Sequence, residues 1–168
     1  MNTKSIIKKL VQLLIIGLTV AILLHPVLHE FGHIFATVLV GGNLKQTTLF
    51  PIQSVLINST SLSAEKIIAI GLCGTALPAV LSLLIWPHRF SLWYGVLIHR
   101  LICLYSSTLD IFYTVLFIYG VQIKNSDVAT MLSYNSNASF FIIVFHCILV
   151  IILCFAIRKM LKNRIPLV

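Results

Sequence analysis

Acid is what this chain has least of. Its 168 residues carry 12 Lys or Arg but only four carboxylates, at Glu30, Glu65, Asp110 and Asp127. Charged residues make up 10% and hydrophobic residues 59%, with a mean hydropathy of +1.04. That balance excludes a water-soluble globule, in which about a quarter of residues are charged. Cysteine is equally scarce. Cys73, Cys103, Cys147 and Cys154 all lie in apolar runs and form no CxxC pair, so they read as buried thiols packing like small hydrophobes. Internal repeats and low-complexity linkers are lacking. The net charge of +8 does not point to nucleic acid, because the basic residues sit at the chain ends and in short loops, where they act as topology signals. A cleaved signal peptide is not expected either: the apolar stretch after Lys4, Lys8 and Lys9 is too long and carries histidines in place of a small-residue cleavage site.

What the chain has in abundance is hydrophobic length. Apolar segments at about 10–40, 67–86, 91–120 and 139–157 each approach or exceed the roughly 20 residues that a helix needs to cross a bilayer. The expectation is therefore one all-α integral membrane domain over residues 1–168, with four transmembrane helices. The first segment would run about 46 Å at 1.5 Å per residue, against a hydrocarbon core of roughly 30 Å. It must tilt, bend or protrude, and Pro26 is the natural bend. Between the first two segments, Gly41-Gly42-Asn43 leads into β-favouring residues from Leu44 to Ile57, which predicts a short hairpin at the membrane edge. Small residues from Gly71 to Pro78 permit close helix approach, and packing alone explains them. The polar stretch from Gln122 to Ala138 reads as a loop with Asp127 solvated. With four spans, nine basic residues fall on the side of the termini and three on the other, which puts both termini in the cytoplasm.

Within the first segment lies His29-Glu30-Phe31-Gly32-His33, an HExxH motif. Histidines four apart on a helix project from nearly one face, so both imidazoles can hold one metal while the Glu reaches a metal-bound water. With six His and two Glu, chance supplies about 0.0025 such matches in this composition. Leaving Glu30 in a span without a partner would cost roughly 2.5 to 3.5 kcal/mol even on the gentler insertion scale. A catalytic zinc takes three protein ligands. Asp110 is the best third candidate, as the other acid inside a span and at matching depth from another helix; its alternative is an ion pair with a basic residue such as Arg100. His25, one turn before His29, could support a ligand from behind, touch substrate or serve as an alternative ligand, or be a satisfied interior polar group. His88, His99 and His146 receive no role.

These residues resemble a known family. The HExGH form, Gly41-Gly42, the Leu49-Phe50-Pro51 stretch, the small-residue helix opening at Gly71 and Leu109-Asp110 are similar to the site-2 protease group of intramembrane metalloproteases, peptidase family M50, in particular its short M50B-like members. The resemblance covers about residues 20 to 120. It implies zinc held by His29, His33 and Asp110, Glu30 as general base, and hydrolysis of a peptide bond within or beside a membrane helix. Two departures stand out. The family's Asp motif has Asn and Pro upstream and Gly after the Asp, whereas here Tyr105-Ser106-Ser107-Thr108-Leu109-Asp110 is followed by Ile111. Many members also orient the HExxH helix the other way across the membrane.

The expected partners are the lipid bilayer, a membrane-protein substrate and a regulatory membrane protein. Two rival classes remain. One is a non-catalytic metal-binding or helix-binding membrane protein of the same fold. The other is a small ion or proton transporter using Glu30, His33 and Asp110 as a path.

Overall fold

The computed structural model describes residues 3–48, 54–123 and 126–163. The Leu49-Phe50-Pro51 stretch lies outside the described residues. Among the described residues four helical stretches are long and apolar enough to cross a membrane, Ser5–Leu39, Ala64–Leu84, Phe90–Ile118 and Ser136–Lys162, as the four hydrophobic segments predict. The chain is a multi-pass membrane protein.

The first span is continuous but not uniform. Helix α1 (Thr3–Leu18) passes into a π-helical turn, Thr19–Leu24, and then into α2 (His25–Leu39), with Pro26 in its first turn. Proline would clash with the carbonyl four residues back in an ordinary helix. A single π turn just before it re-spaces the ladder, so that His25 N–H reaches Val20 O. Large apolar side chains of α1, such as Leu10, Leu14 and Leu18, are exposed, as lipid-facing residues should be.

Helix α2 ends on a Schellman cap. Gly41 takes φ 74°, its N–H reaches Val38 O at 3.1 Å, and Gly42 N–H reaches Thr37 O at 2.8 Å. A side chain at Gly41 would pay the left-handed penalty that glycine avoids. The Lys66 ammonium adds a bond to Val40 O at 2.9 Å. The chain then forms the expected hairpin, β1 (Asn43–Thr48) antiparallel to β2 (Ser54–Asn58). Leu44 pairs with Ile57 but Gln46 with Leu56, which leaves Lys45 as a bulge.

Helix α3 (Ala64–Leu84) is the axis of the bundle. It touches α2, α4 (Phe90–Ile118), α5 (Asp127–Tyr134) and α6 (Ser139–Lys162), and half of its most apolar window is buried. The α2–α3 contact is close because of glycine: a Cβ on Gly32 would run into the Cys73 carbonyl and Gly74 Cα. Farther along, Ala79, Cys103, Leu149 and Leu153 join α3, α4 and α6. Arg100 is almost fully buried and does not pair with Asp110. Its guanidinium donates to Ser82 O at 2.9 Å and Ile85 O at 3.4 Å, carbonyls left over where α3 ends, and also to Ala156 O of α6 at 3.3 Å.

The stretch after α4 departs from expectation. It is not simply a solvated loop, because Asp127–Tyr134 forms α5, capped by Ser126, whose side chain accepts from Ala129 N–H at 3.0 Å. Val128, Met131 and Leu132 share one face and are buried against Ile68, Leu72, Ala138 and Ile142. This packing folds α5 back onto the bundle.

Candidate metal centre

The two imidazoles of the HExxH motif converge. His29 Nε2 and His33 Nε2 are 3.1 Å apart, which the four-residue helical spacing makes natural. The third group is Asp127. Its Oδ2 lies 2.9 Å from His29 Nε2 and 3.2 Å from His33 Nε2. Two ligand atoms about 2.0 to 2.1 Å from a tetrahedral ion stand roughly 3.3 to 3.4 Å apart, so a triangle with these edges fits one zinc-sized ion with little adjustment. Two imidazole nitrogens and a carboxylate oxygen are also the borderline-hard donors that zinc takes.

The surroundings support the same use. His33 Nδ1 donates to Ile70 O at 2.9 Å, which leaves the Nε2 lone pair facing inward; such a partner orients a ligand ring. Thr37 Oγ1 donates to His33 O at 2.7 Å. Gly74 makes room for both rings, since a Cβ there would stand 2.5 Å from His33 and 3.0 Å from His29. Burial works against the charge on Asp127, but the His29 and His33 imidazoles beside it outweigh that and hold the carboxyl below the usual carboxylate range.

Asp110 takes a different place. It is not in the group formed by His29, His33 and Asp127. Thr75 Oγ1 donates to its Oδ2 at 3.0 Å, and His146 Nε2 lies 3.6 Å from the same oxygen. On α3, Gly74 lies against the imidazoles while the next residue, Thr75, holds the Asp110 carboxylate. His25 stands beside the motif, its ring centroid 6.5 Å from that of His29, with no hydrogen bond to either imidazole among the described residues. Among the described residues its polar contact is Cys103, whose Sγ lies 3.8 Å from His25 Nδ1.

Glu30, His33 and Asp127 line a cavity of about 420 Å³. Its walls come from β2, the first half of α3 and the exposed side of α5, including Ser54, Ser59, Gly71, Thr130 and Tyr134. Tyr134 Oη donates to Ser59 Oγ at 2.7 Å across its rim. Reading Asp127 as solvated missed this centre. The signal was present, as Ser126-Asp127 at a helix start followed by apolar residues at 128, 131 and 132. No family model, curated protein or solved structure matches the chain.

Proposed function

We propose that this chain is an intramembrane zinc metalloprotease of the site-2 protease type, hydrolysing a peptide bond in or beside a transmembrane segment of another membrane protein. The observation that carries the reading is the meeting of both HExxH imidazoles with Asp127 at a cavity that Glu30 also lines. Zinc held by His29, His33 and Asp127 would polarise the scissile carbonyl and bring the pKa of a water toward about 7.

The chain's own residues do the rest. Glu30 is the general base, taking a proton from the attacking water and returning it to the leaving amine. Ile70 O fixes the His33 ring, and the apolar packing of α5 keeps Asp127 facing the pair. A helix with its side chains is about 10 Å across, so a substrate segment unwinds before it enters a cavity of about 420 Å³. Among the described residues β2 pairs only with β1, and the backbone groups on its other edge are suited to an extended peptide.

Water reaches the site from the face where the hairpin and α5 both lie, because the connection between spans one and two and that between spans three and four share a side. On the charge bias this is the face opposite the termini, which we place in the cytoplasm.

The test is elemental analysis of detergent-purified protein beside cleavage of a transmembrane reporter. About one zinc per chain is expected in the wild type and in Glu30→Gln, with zinc lost in His33→Ala and Asp127→Ala and cleavage lost in Glu30→Gln. A folded wild type that takes up no supplied zinc would overturn the reading. Zinc without any cleavage would leave a non-catalytic metal-binding or helix-binding protein.

A further inference from the structure

A second convergence of ligand atoms lies one turn away on the same helix. His25, His99 and Cys103 each offer a donor atom, and these atoms lie within 4.8 Å of one another. His99 and Cys103 are four apart on α4, so they share a face, and His25 comes across from α2. The arrangement repeats the logic of the first centre, with two donors spaced four apart on one helix and a third from another. The rings of His25 and His99 meet edge-on with centroids 5.5 Å apart.

The site is dry. Relative exposures are 0% for Cys103, 4% for His99 and 9% for His25, and His99 Nε2 is buried without a hydrogen-bond partner. The Cys103 Sγ to His25 Nδ1 distance of 3.8 Å is long for a good hydrogen bond. It is close to the 3.5 to 3.7 Å or so separating nitrogen and sulfur donors that sit about 2.0 and 2.3 Å from a shared ion.

Charge selects the ion. A thiolate with two neutral imidazoles carries one negative charge, so a monovalent cation leaves the site neutral, whereas a divalent one leaves a positive charge and calls for a fourth donor. No carboxylate belongs to this group, and Arg100, next in the chain, is already a buried cation bonded to backbone carbonyls. Thiolate also favours soft metals. We infer that His25, His99 and Cys103 form a second metal site, separate from the HExxH centre, that takes a thiophilic monovalent d10 cation of the Cu(I) kind.

The probe is Cu(I) itself, titrated anaerobically into zinc-loaded, detergent-purified protein against the chromophoric chelator bicinchoninate. The exposed Cys147 and Cys154 are first replaced by Ala. About one Cu(I) per chain should be retained against the chelator by this protein and by its His33→Ala derivative, with at least a 100-fold weaker retention in Cys103→Ala and in His99→Ala. X-ray absorption at the copper edge should show one sulfur and two nitrogens. Equal retention in Cys103→Ala, or copper lost through His33→Ala instead, would overturn the site. Should both site variants fail to fold, the edge spectrum of the parent protein decides, since copper without sulfur excludes Cys103. His33→Ala keeps this outcome distinguishable from failure of the zinc site.

Discussion

The surroundings of Asp127 and of Asp110 are built in opposite ways. Asp127 stands at the start of an eight-residue helix that does not cross the membrane, yet it touches both imidazoles of the motif at 2.9 and 3.2 Å. Asp110 stands inside a 29-residue span, and its side chain meets a threonine and an unbonded histidine. The difference teaches that depth in a span does not decide which acid serves a site. What decides it is the packing beneath the donor. Val128, Met131 and Leu132 anchor α5 on α3 and α6, and that anchorage aims Asp127 at the histidines, while Thr75 of α3 holds Asp110.

Replacing each acid in turn should break the symmetry most sharply. Supporting groups around a metal are worth about 10- to 100-fold in affinity, so loss of a ligand in Asp127→Ala should weaken zinc by more than about 100-fold. Asp110→Ala should keep about one zinc per chain, read by competition with a chelator. Equal losses would mean that the two acids form a single centre.

The next largest effects should come from the glycines that let α2 and α3 touch. Gly32→Ala pushes a methyl into the Cys73 carbonyl, and Gly74→Ala pushes one into the His33 ring. Overpacking typically costs about 1 to 3 kcal/mol, with Gly32→Ala at the upper end because backbone yields least. Gly71→Ala meets Met131 at Cγ and Sδ, each 2.6 Å away, and because that side chain is buried and anchors α5 it should cost a comparable amount. Thermal melts in detergent would rank the three. Zinc should fall most in Gly74→Ala, whose methyl meets the ligand rings themselves.

A smaller effect is expected at the cap of α5. Ser126→Ala removes the bond to Ala129 N–H, worth about 1 kcal/mol at a helix start. The fraying falls on Asp127 itself, so zinc affinity should drop about fivefold, while the region around Asp110 is untouched. An unchanged affinity would show that apolar packing alone holds α5.

Much of this arrangement was legible in the residues. Apolar length predicted the four spans, Gly41-Gly42 and the β-favouring run predicted the hairpin, and the HExxH spacing predicted the paired imidazoles. The third group was not, because hydropathy favours an acid inside a span, and a short helix in a polar stretch gives a weak periodic signal. Arg100 reads in the sequence as a candidate partner for Asp110 and not as a cap, since the carbonyls it meets depend on where α3 ends and how α6 packs against it. His99 and Cys103 carry helical spacing in the sequence, but their convergence with His25 depends on how α2 and α4 pack.

The smallest predicted effect probes the boundary between the two regions. Thr75→Val keeps the shape of the side chain and removes the 3.0 Å bond to Asp110. Such a bond is worth about 1 kcal/mol net, and a partly buried acid left without its donor can cost up to about 3. Because Gly74 faces the imidazoles and Thr75 the acid, the cost should appear as a modest fall in melting temperature with zinc affinity unchanged. A tenfold loss of zinc in Thr75→Val would mean that Asp110 acts on the metal ligands through α3, and the two regions would then have to be treated as one.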